Sequence, residues 1–321
     1  MLDILLVTFP FFALVLAGYV AARRRMLPLE AISGLNTFVL YFALPAMLFT
    51  FGARTPVGQL LDVSALVVYL ACALAVVALV VRTSMNARIR WNDASFGALV
   101  AAFPNTGFMG VPLLVALLGA AAAGPAILTM LVDLIVTSSL CIALSRLDGA
   151  DEHGAAEAAR KALKGMALNP MPWSIALGGL ASALRIEPVR PVMQTIELLA
   201  AAASPVALFT IGAVLARSQY VAAQERHDAL PLRDYVPVVL VKLVLHPLLV
   251  FAAGRAAIAV GLPLDRFALH VMVLVAALPS ASNVAVLSER FGADTGRIAR
   301  IIMLTTAAAF LTFSAAVALL A

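Results

Sequence analysis

Apolar runs of about twenty residues recur along almost the whole chain, and few folds are open to such a pattern. A helix rises 1.5 Å per residue, so roughly 20 apolar residues cross the ~30 Å hydrocarbon core of a bilayer. On that basis the sequence predicts ten spans near 4–22, 32–52, 62–82, 93–118, 125–145, 170–184, 191–215, 235–260, 268–290 and 297–320. Composition agrees: 63% of the residues are hydrophobic and 12% charged, against about half and a quarter in a soluble domain. The expectation is an all-α membrane protein. Its first span is read as retained, because Arg23, Arg24 and Arg25 follow the apolar run instead of leading it.

The net charge is +5, carried by short loops between spans, so it reads as a topology signal and not as a nucleic-acid footprint. One set of alternate loops (23–25, 82–90, 146–164, 217–233 and 290–300) holds 16 of the 22 Lys and Arg residues. Arg54, Arg185, Arg190, Arg255 and Arg266 fall on the other side, and Lys242 lies within a span. Positive loops stay in the cytoplasm. Both termini are therefore expected outside it, in a multi-pass protein of the cell inner (plasma) membrane.

The chain repeats itself. Residues 43–52 read ALPAMLFTFG and residues 203–212 read ASPVALFTIG, with Pro45/Pro205, Phe49/Phe209, Thr50/Thr210 and Gly52/Gly212 in register. The copies lie in spans two and seven, which run in opposite directions. Five spans per half make the halves antiparallel, the inverted-repeat plan of secondary transporters. The expected units are 1–145, a cytoplasmic linker at 146–168, and 169–321. The linker mixes acids and bases and reads as a solvated, partly helical connection.

Spans four and nine are interrupted near their middles, by Phe103-Pro104-Asn105-Thr106-Gly107-Phe108-Met109-Gly110-Val111-Pro112 and by Leu278-Pro279-Ser280-Ala281-Ser282-Asn283. Proline removes a helical donor and clashes with the preceding turn. Freed backbone groups in a bilayer must meet protein, ions or water, so such breaks belong beside a cavity. Each following half-helix opens with unpaired amides at its positive dipole end. Pro104, Asn105, Thr106, Gly107, Pro279, Ser280, Ser282 and Asn283 are the candidate substrate-binding residues. Two such ends meeting at the midplane suit a carboxylate.

These runs, together with Leu-Pro-Ala-Met-Leu-Phe (44–49) and Pro-Val-Ala-Leu-Phe-Thr-Ile-Gly (205–212), resemble the auxin efflux carrier family. That family includes plant auxin exporters and bacterial organic-acid permeases. The resemblance covers nearly the whole chain and is to the compact bacterial type, including malate and malonate carriers. It implies ten helices with broken helices 4 and 9 crossing, and elevator-like movement of one domain against another. Spans 1, 2, 6 and 7 would be the scaffold and spans 3–5 and 8–10 the transport domain. It also suggests a homodimer.

Charges within spans are few and costly. Asp133 lies in span five, Glu197 at the start of span seven, and Lys242 with His246 on one face of span eight. An Asp133–Lys242 ion pair is one reading; coupling roles, with Asp133 carrying a proton or cation and Lys242 facing the anion, are the other. His246 titrates ordinarily near neutrality, or shapes a kink with Pro247. Glu197 reaches the interface.

Enzyme chemistry has no purchase here. There is no His-Glu-x-x-His and no Gly-x-Ser-x-Gly; His153, His227, His246 and His270 are scattered, and Cys72 and Cys141 support neither a disulfide framework nor a metal cluster. The expectation is a secondary active transporter of a malonate- or malate-like dicarboxylate, in contact with lipid and its small anion and without a cofactor beyond a coupling H+ or Na+. The alternatives are a sodium-coupled organic-anion symporter of the bile-acid type and an exporter of an auxin-like monocarboxylate.

Overall fold

The computed structural model describes residues 2–54, 62–147, 170–186, 188–224 and 231–320. Apart from Arg146 and Leu147, the expected linker lies outside these residues. The described chain is helical: α1 (Leu2–Arg23), α2 (Ala31–Arg54), α3 (Val63–Ser84), α4 (Trp91–Ala102), α5 (Thr106–Leu118) and α6 (Ala120–Leu144) come first. Then follow α7 (Pro170–Leu184), α8 (Arg190–Gln224), α9 (Val236–Ala259), α10 (Arg266–Ala277), α11 (Asn283–Arg290) and α12 (Thr295–Leu320). Among the described residues, seven helices are long and apolar enough to cross a membrane: α1, α2, α3, α6, α8 through Arg217, α9 and α12. Helices α5 and α10 are apolar but shorter, because α5 starts at one break and α10 stops at the other.

Local chemistry explains the ends. The Asp62 carboxylate caps α3 by accepting from the Ala65 amide (2.9 Å), and Asp265 caps α10 through the Ala268 amide (3.1 Å). Four helices contain single π turns: Val39–Ala43 in α2, Thr106–Gly110 opening α5, Asp133–Thr137 in α6 and Val241–Leu245 in α9. Such turns free a carbonyl locally and recur at functional sites. Two of them hold the intramembrane charges Asp133 and Lys242.

The helices pack in two groups. The most extensive contacts join α1 to α8 and α2 to α7, with α2 also against α8; a second group joins α3 to α4, α9 to α10 and α3 to α9. Glycine makes the first group close. A Cβ on Gly212 would meet the Val15 backbone and one on Gly18 the Phe209 backbone; a Cβ on Gly178 would meet Phe49 and one on Gly52 would meet Ile175. Small residues of this kind let membrane helices touch backbone to backbone.

Candidate functional site

The two breaks meet. Helix α4 ends at Ala102, and Pro104 forms an antiparallel bridge with Ser280. The Asn105 amide donates to the Pro279 carbonyl (2.8 Å) and the Ala281 amide to the Phe103 carbonyl (3.0 Å). Segments 175 positions apart thus satisfy each other's backbone where each proline has interrupted its own helix.

Those exchanged bonds leave carbonyls behind. Ala276 would accept from the Ser280 amide in an unbroken helix. That amide donates instead to Thr305 Oγ1 (3.3 Å), and Lys242 Nζ donates to the Ala276 carbonyl (2.7 Å). In α4 the corresponding Ala101 carbonyl lies beside the His246 ring. Lys242 and His246, one turn apart on α9, therefore stand at the carboxyl ends of both half-helices, with Nζ 3.5 Å from Nδ1. These are the negative ends of the helix dipoles, where a cationic donor is favoured.

The amino ends lie on the other side of the crossing. In α5 the Met109 and Gly110 amides both donate to the Asn105 carbonyl (3.1 and 3.0 Å), and among the described residues no carbonyl accepts from the Gly107 or Phe108 amide. In α11 the Val284 and Ala285 amides donate to Ala281 and Ser282 (3.3 and 3.2 Å), while those of Ser282 and Asn283 have no such partner. A small cleft borders both ends. Asn105, Gly107 and Asn283 form its polar wall; Phe103, Phe108, Met130 and Leu134 close it, and Leu44 of α2 and Met171 of α7 face it from the other helix group. Among the described residues, no Lys, Arg or His lines it. The Asn283 Oδ1 atom is buried without a hydrogen-bond partner among the described residues.

Of the eight residues singled out at the breaks, Pro104, Asn105, Gly107 and Asn283 line this cleft, and Thr106, Pro279, Ser280 and Ser282 do not. In the second segment Ala281 and Asn283 line the cleft while Ser280 and Ser282 do not. Ser280 is 1% exposed with its hydroxyl unpartnered, and Thr106 Oγ1 lies 3.5 Å from the Pro104 carbonyl. The apolar lining residues went unread. In a chain this rich in Leu, Met and Phe, nothing local marks the few that face a cleft.

A family model described as "Membrane transport protein" matches residues 4–317. The chain belongs to that family. This is the auxin efflux carrier resemblance of its motifs, extended to nearly the full length. A relative from Rhizobium meliloti (strain 1021), described as "Putative malonate transporter", is 32% identical over 298 residues, covering 92% of this chain and 89% of the relative. The "Uncharacterized transporter YfdV" of Escherichia coli (strain K12) is 26% identical over 298 residues, covering 89% of this chain and 88% of its own. Membership makes the chain an integral membrane transport protein and not an enzyme.

In this family member the intramembrane charges are arranged differently from an ion pair. Asp133 is fully buried and accepts from the Tyr69 hydroxyl (2.9 Å) and from Thr137 Oγ1 (3.1 Å), while Ser138 Oγ takes its π-turn carbonyl (2.8 Å). It makes no ion pair with Lys242. Each charge makes its hydrogen bonds to neutral dipoles, and the Tyr69 ring that serves Asp133 is 6.0 Å from that of His246. Glu197 is on the surface, paired with Arg54 at 2.6 Å. A half-exposed pair of that kind contributes little to stability.

Proposed function

We propose that the chain is a secondary active transporter of a small organic carboxylate, a malonate- or malate-like dicarboxylate, working by elevator-type alternating access. The observation that carries this is the cleft at the crossing. Two half-helix amino ends and two Asn side chains border it, and among the described residues no cationic side chain lines it. Unpaired amides at helix amino ends bind anions without a full charge. A neutral site also releases its anion more readily than an ion pair would, which suits a carrier. The name of the Rhizobium relative supports the dicarboxylate.

The glycine crossings support ten spans in two inverted halves. Gly52 of α2 packs on α7, and Gly212 of α8, its counterpart in the repeat, packs on α1. Each half lays its repeated motif against the first helix of the other. The helix groups support a scaffold of spans 1, 2, 6 and 7 against a transport domain of spans 3–5 and 8–10, with the cleft walled from both. Basic loops support an inner-membrane protein with both termini outside the cytoplasm.

The test is uptake of labelled malonate, malate and indole-3-acetate into proteoliposomes, with a pH gradient, with a sodium gradient and with choline replacing sodium. Saturable dicarboxylate uptake is expected, with KM raised roughly 10–100-fold in Asn105→Ala and Asn283→Ala, the loss of one hydrogen bond to a charged ligand. Uptake only with sodium would move the reading to the bile-acid type. No uptake of any acid by folded, inserted protein would overturn the substrate class.

A further inference from the structure

At the other end of α11 from the cleft, two arginines converge on one aromatic ring. The guanidinium carbon of Arg146, just past α6, lies 5.0 Å from the centroid of Phe291, and that of Arg290, the last residue of α11, lies 6.0 Å from the same point. Both side chains are exposed, and neither forms an ion pair among the described residues. Cation–π attraction at an exposed site contributes about 0.5–1 kcal/mol per Arg, while the two like charges oppose each other. An anion between them would remove that opposition.

The ring is a fixed platform. The Phe291 amide donates to the Leu287 carbonyl (3.0 Å), and Gly292 turns the chain at φ 67°, a left-handed conformation that suits glycine. Asn92 Nδ2 donates to the carbonyls of both Phe291 (3.2 Å) and Gly292 (3.0 Å), tying the turn to α4. Phe96 packs alongside, ring centroids 6.0 Å apart. Two fork-shaped donors are thus held on a rigid support reached from three helices, and a guanidinium so held loses little freedom on meeting a phosphate.

Depth says which phosphate. The apolar span of α6 ends at Leu144, so Arg146 stands two residues beyond it, at headgroup level. Leu147 beside it is an exposed apolar side chain, 37% accessible, where an acyl chain would lie. The cluster also belongs to the basic set of loops, the side facing the anionic leaflet on the charge reading above. We infer that Arg146, Arg290 and Phe291 form a binding site for the phosphate headgroup of an anionic phospholipid. The site is independent of the transported substrate.

The experiment uses purified full-length protein in detergent, with bound lipid read by native mass spectrometry and stability by thermal melting. Titrations compare phosphatidylglycerol, phosphatidylcholine and inorganic phosphate. Wild type is expected to retain phosphatidylglycerol over phosphatidylcholine and to melt higher with it. In Arg146→Gln/Arg290→Gln, retention should fall about 30-fold, two interfacial charges' worth, with melting in phosphatidylcholine unchanged. Arg24→Gln/Arg25→Gln, an equal loss of charge elsewhere on the basic side, should keep wild-type retention. Equal loss in both pairs, or undiminished retention in the first, would overturn the site. So would inorganic phosphate stabilising wild type as well as the lipid does, since the ligand would then be a free anion.

Discussion

The Lys242 ammonium donates to the Ala276 carbonyl across 2.7 Å while fully buried, and the amide that would otherwise serve that carbonyl, Ser280, is bound to Thr305. One helical hydrogen bond has been opened, and each half has been given a new partner from another helix. A charge in the membrane interior, which sequence alone invites one to read as a coupling group, is thereby engaged as a backbone donor. Burying an ammonium costs several kcal/mol; a carbonyl at the negative end of a half-helix offsets part of it.

Thr305→Val tests this arrangement, because it keeps the shape of the side chain and removes the acceptor. The Ser280 amide would be left buried and unpaired, at a cost of about 1–3 kcal/mol. Expected is a lower melting temperature and weaker uptake, both restored by Thr305→Ser. An unchanged melting temperature in Thr305→Val would mean the amide has another acceptor.

Helix contact in the α1–α8 pair rests on glycine, and substitution there should be severe. A Cβ at Gly212 collides with the Val15 carbonyl and the Tyr19 amide, which are backbone atoms and cannot swing aside. Gly212→Ala must push the helices apart, and overpacking of that kind costs ~1–3 kcal/mol or more. Gly34, in α2, is the control: nothing lies within 4 Å of its Cβ position. Gly34→Ala should be neutral or stabilising by up to ~1 kcal/mol, since alanine is the better helix former. Thermal melting in one detergent compares the two.

Much of this was legible in the residues. Long apolar runs fix helices because a bilayer offers the backbone no other donor, and Pro104 and Pro279 mark the breaks because proline cannot continue a helix. The observed helices depart from the expected spans mainly at α8, which runs on to Gln224; α10 and α11 are separated where the interruption of span nine was expected. What stayed hidden depends on contacts between distant segments. The pairing of Asn105 with Pro279 and of Phe103 with Ala281 decides which residues face the cleft, so Ser280 and Ser282 could not be told from Asn283 beforehand. Nor could Lys242 be matched to its partner. A carbonyl has no letter in the sequence, and Ala276 becomes needy only when the crossing takes away its amide. The π turns at Asp133 and Lys242 carried no signal of their own.

Asp133 spends its two side-chain oxygens on Tyr69 and Thr137. Asp133→Asn replaces one acceptor with a donor, setting it against a hydroxyl hydrogen that must turn elsewhere. A loss of about 1–3 kcal/mol in stability is expected. Uptake measured across a pH gradient separates structure from coupling. A carrier of the coupling proton would lose its response to the gradient in Asp133→Asn even where the protein remains folded, while a purely structural Asp133 would keep it.

The width of the cleft is set at Gly107. A Cβ there would lie 3.2 Å from Met130 Sδ and 3.7 Å from Leu44 Cδ2, and both side chains line the same cleft. Methionine is flexible enough to yield by a few tenths of an ångström, so Gly107→Ala should fold. The displaced thioether has the cleft as its free space, and substrate affinity is expected to fall several-fold, more for malate than for the smaller malonate. Met130→Ala alone should enlarge the site and cost stability through the cavity it leaves. Combined with Gly107→Ala, it should return affinity towards wild type, a coupling of about 0.5–3 kcal/mol for side chains in contact. Additive losses in the double variant would show that Met130 does not transmit the change, and that Gly107 acts through the backbone amides at the start of α5 instead.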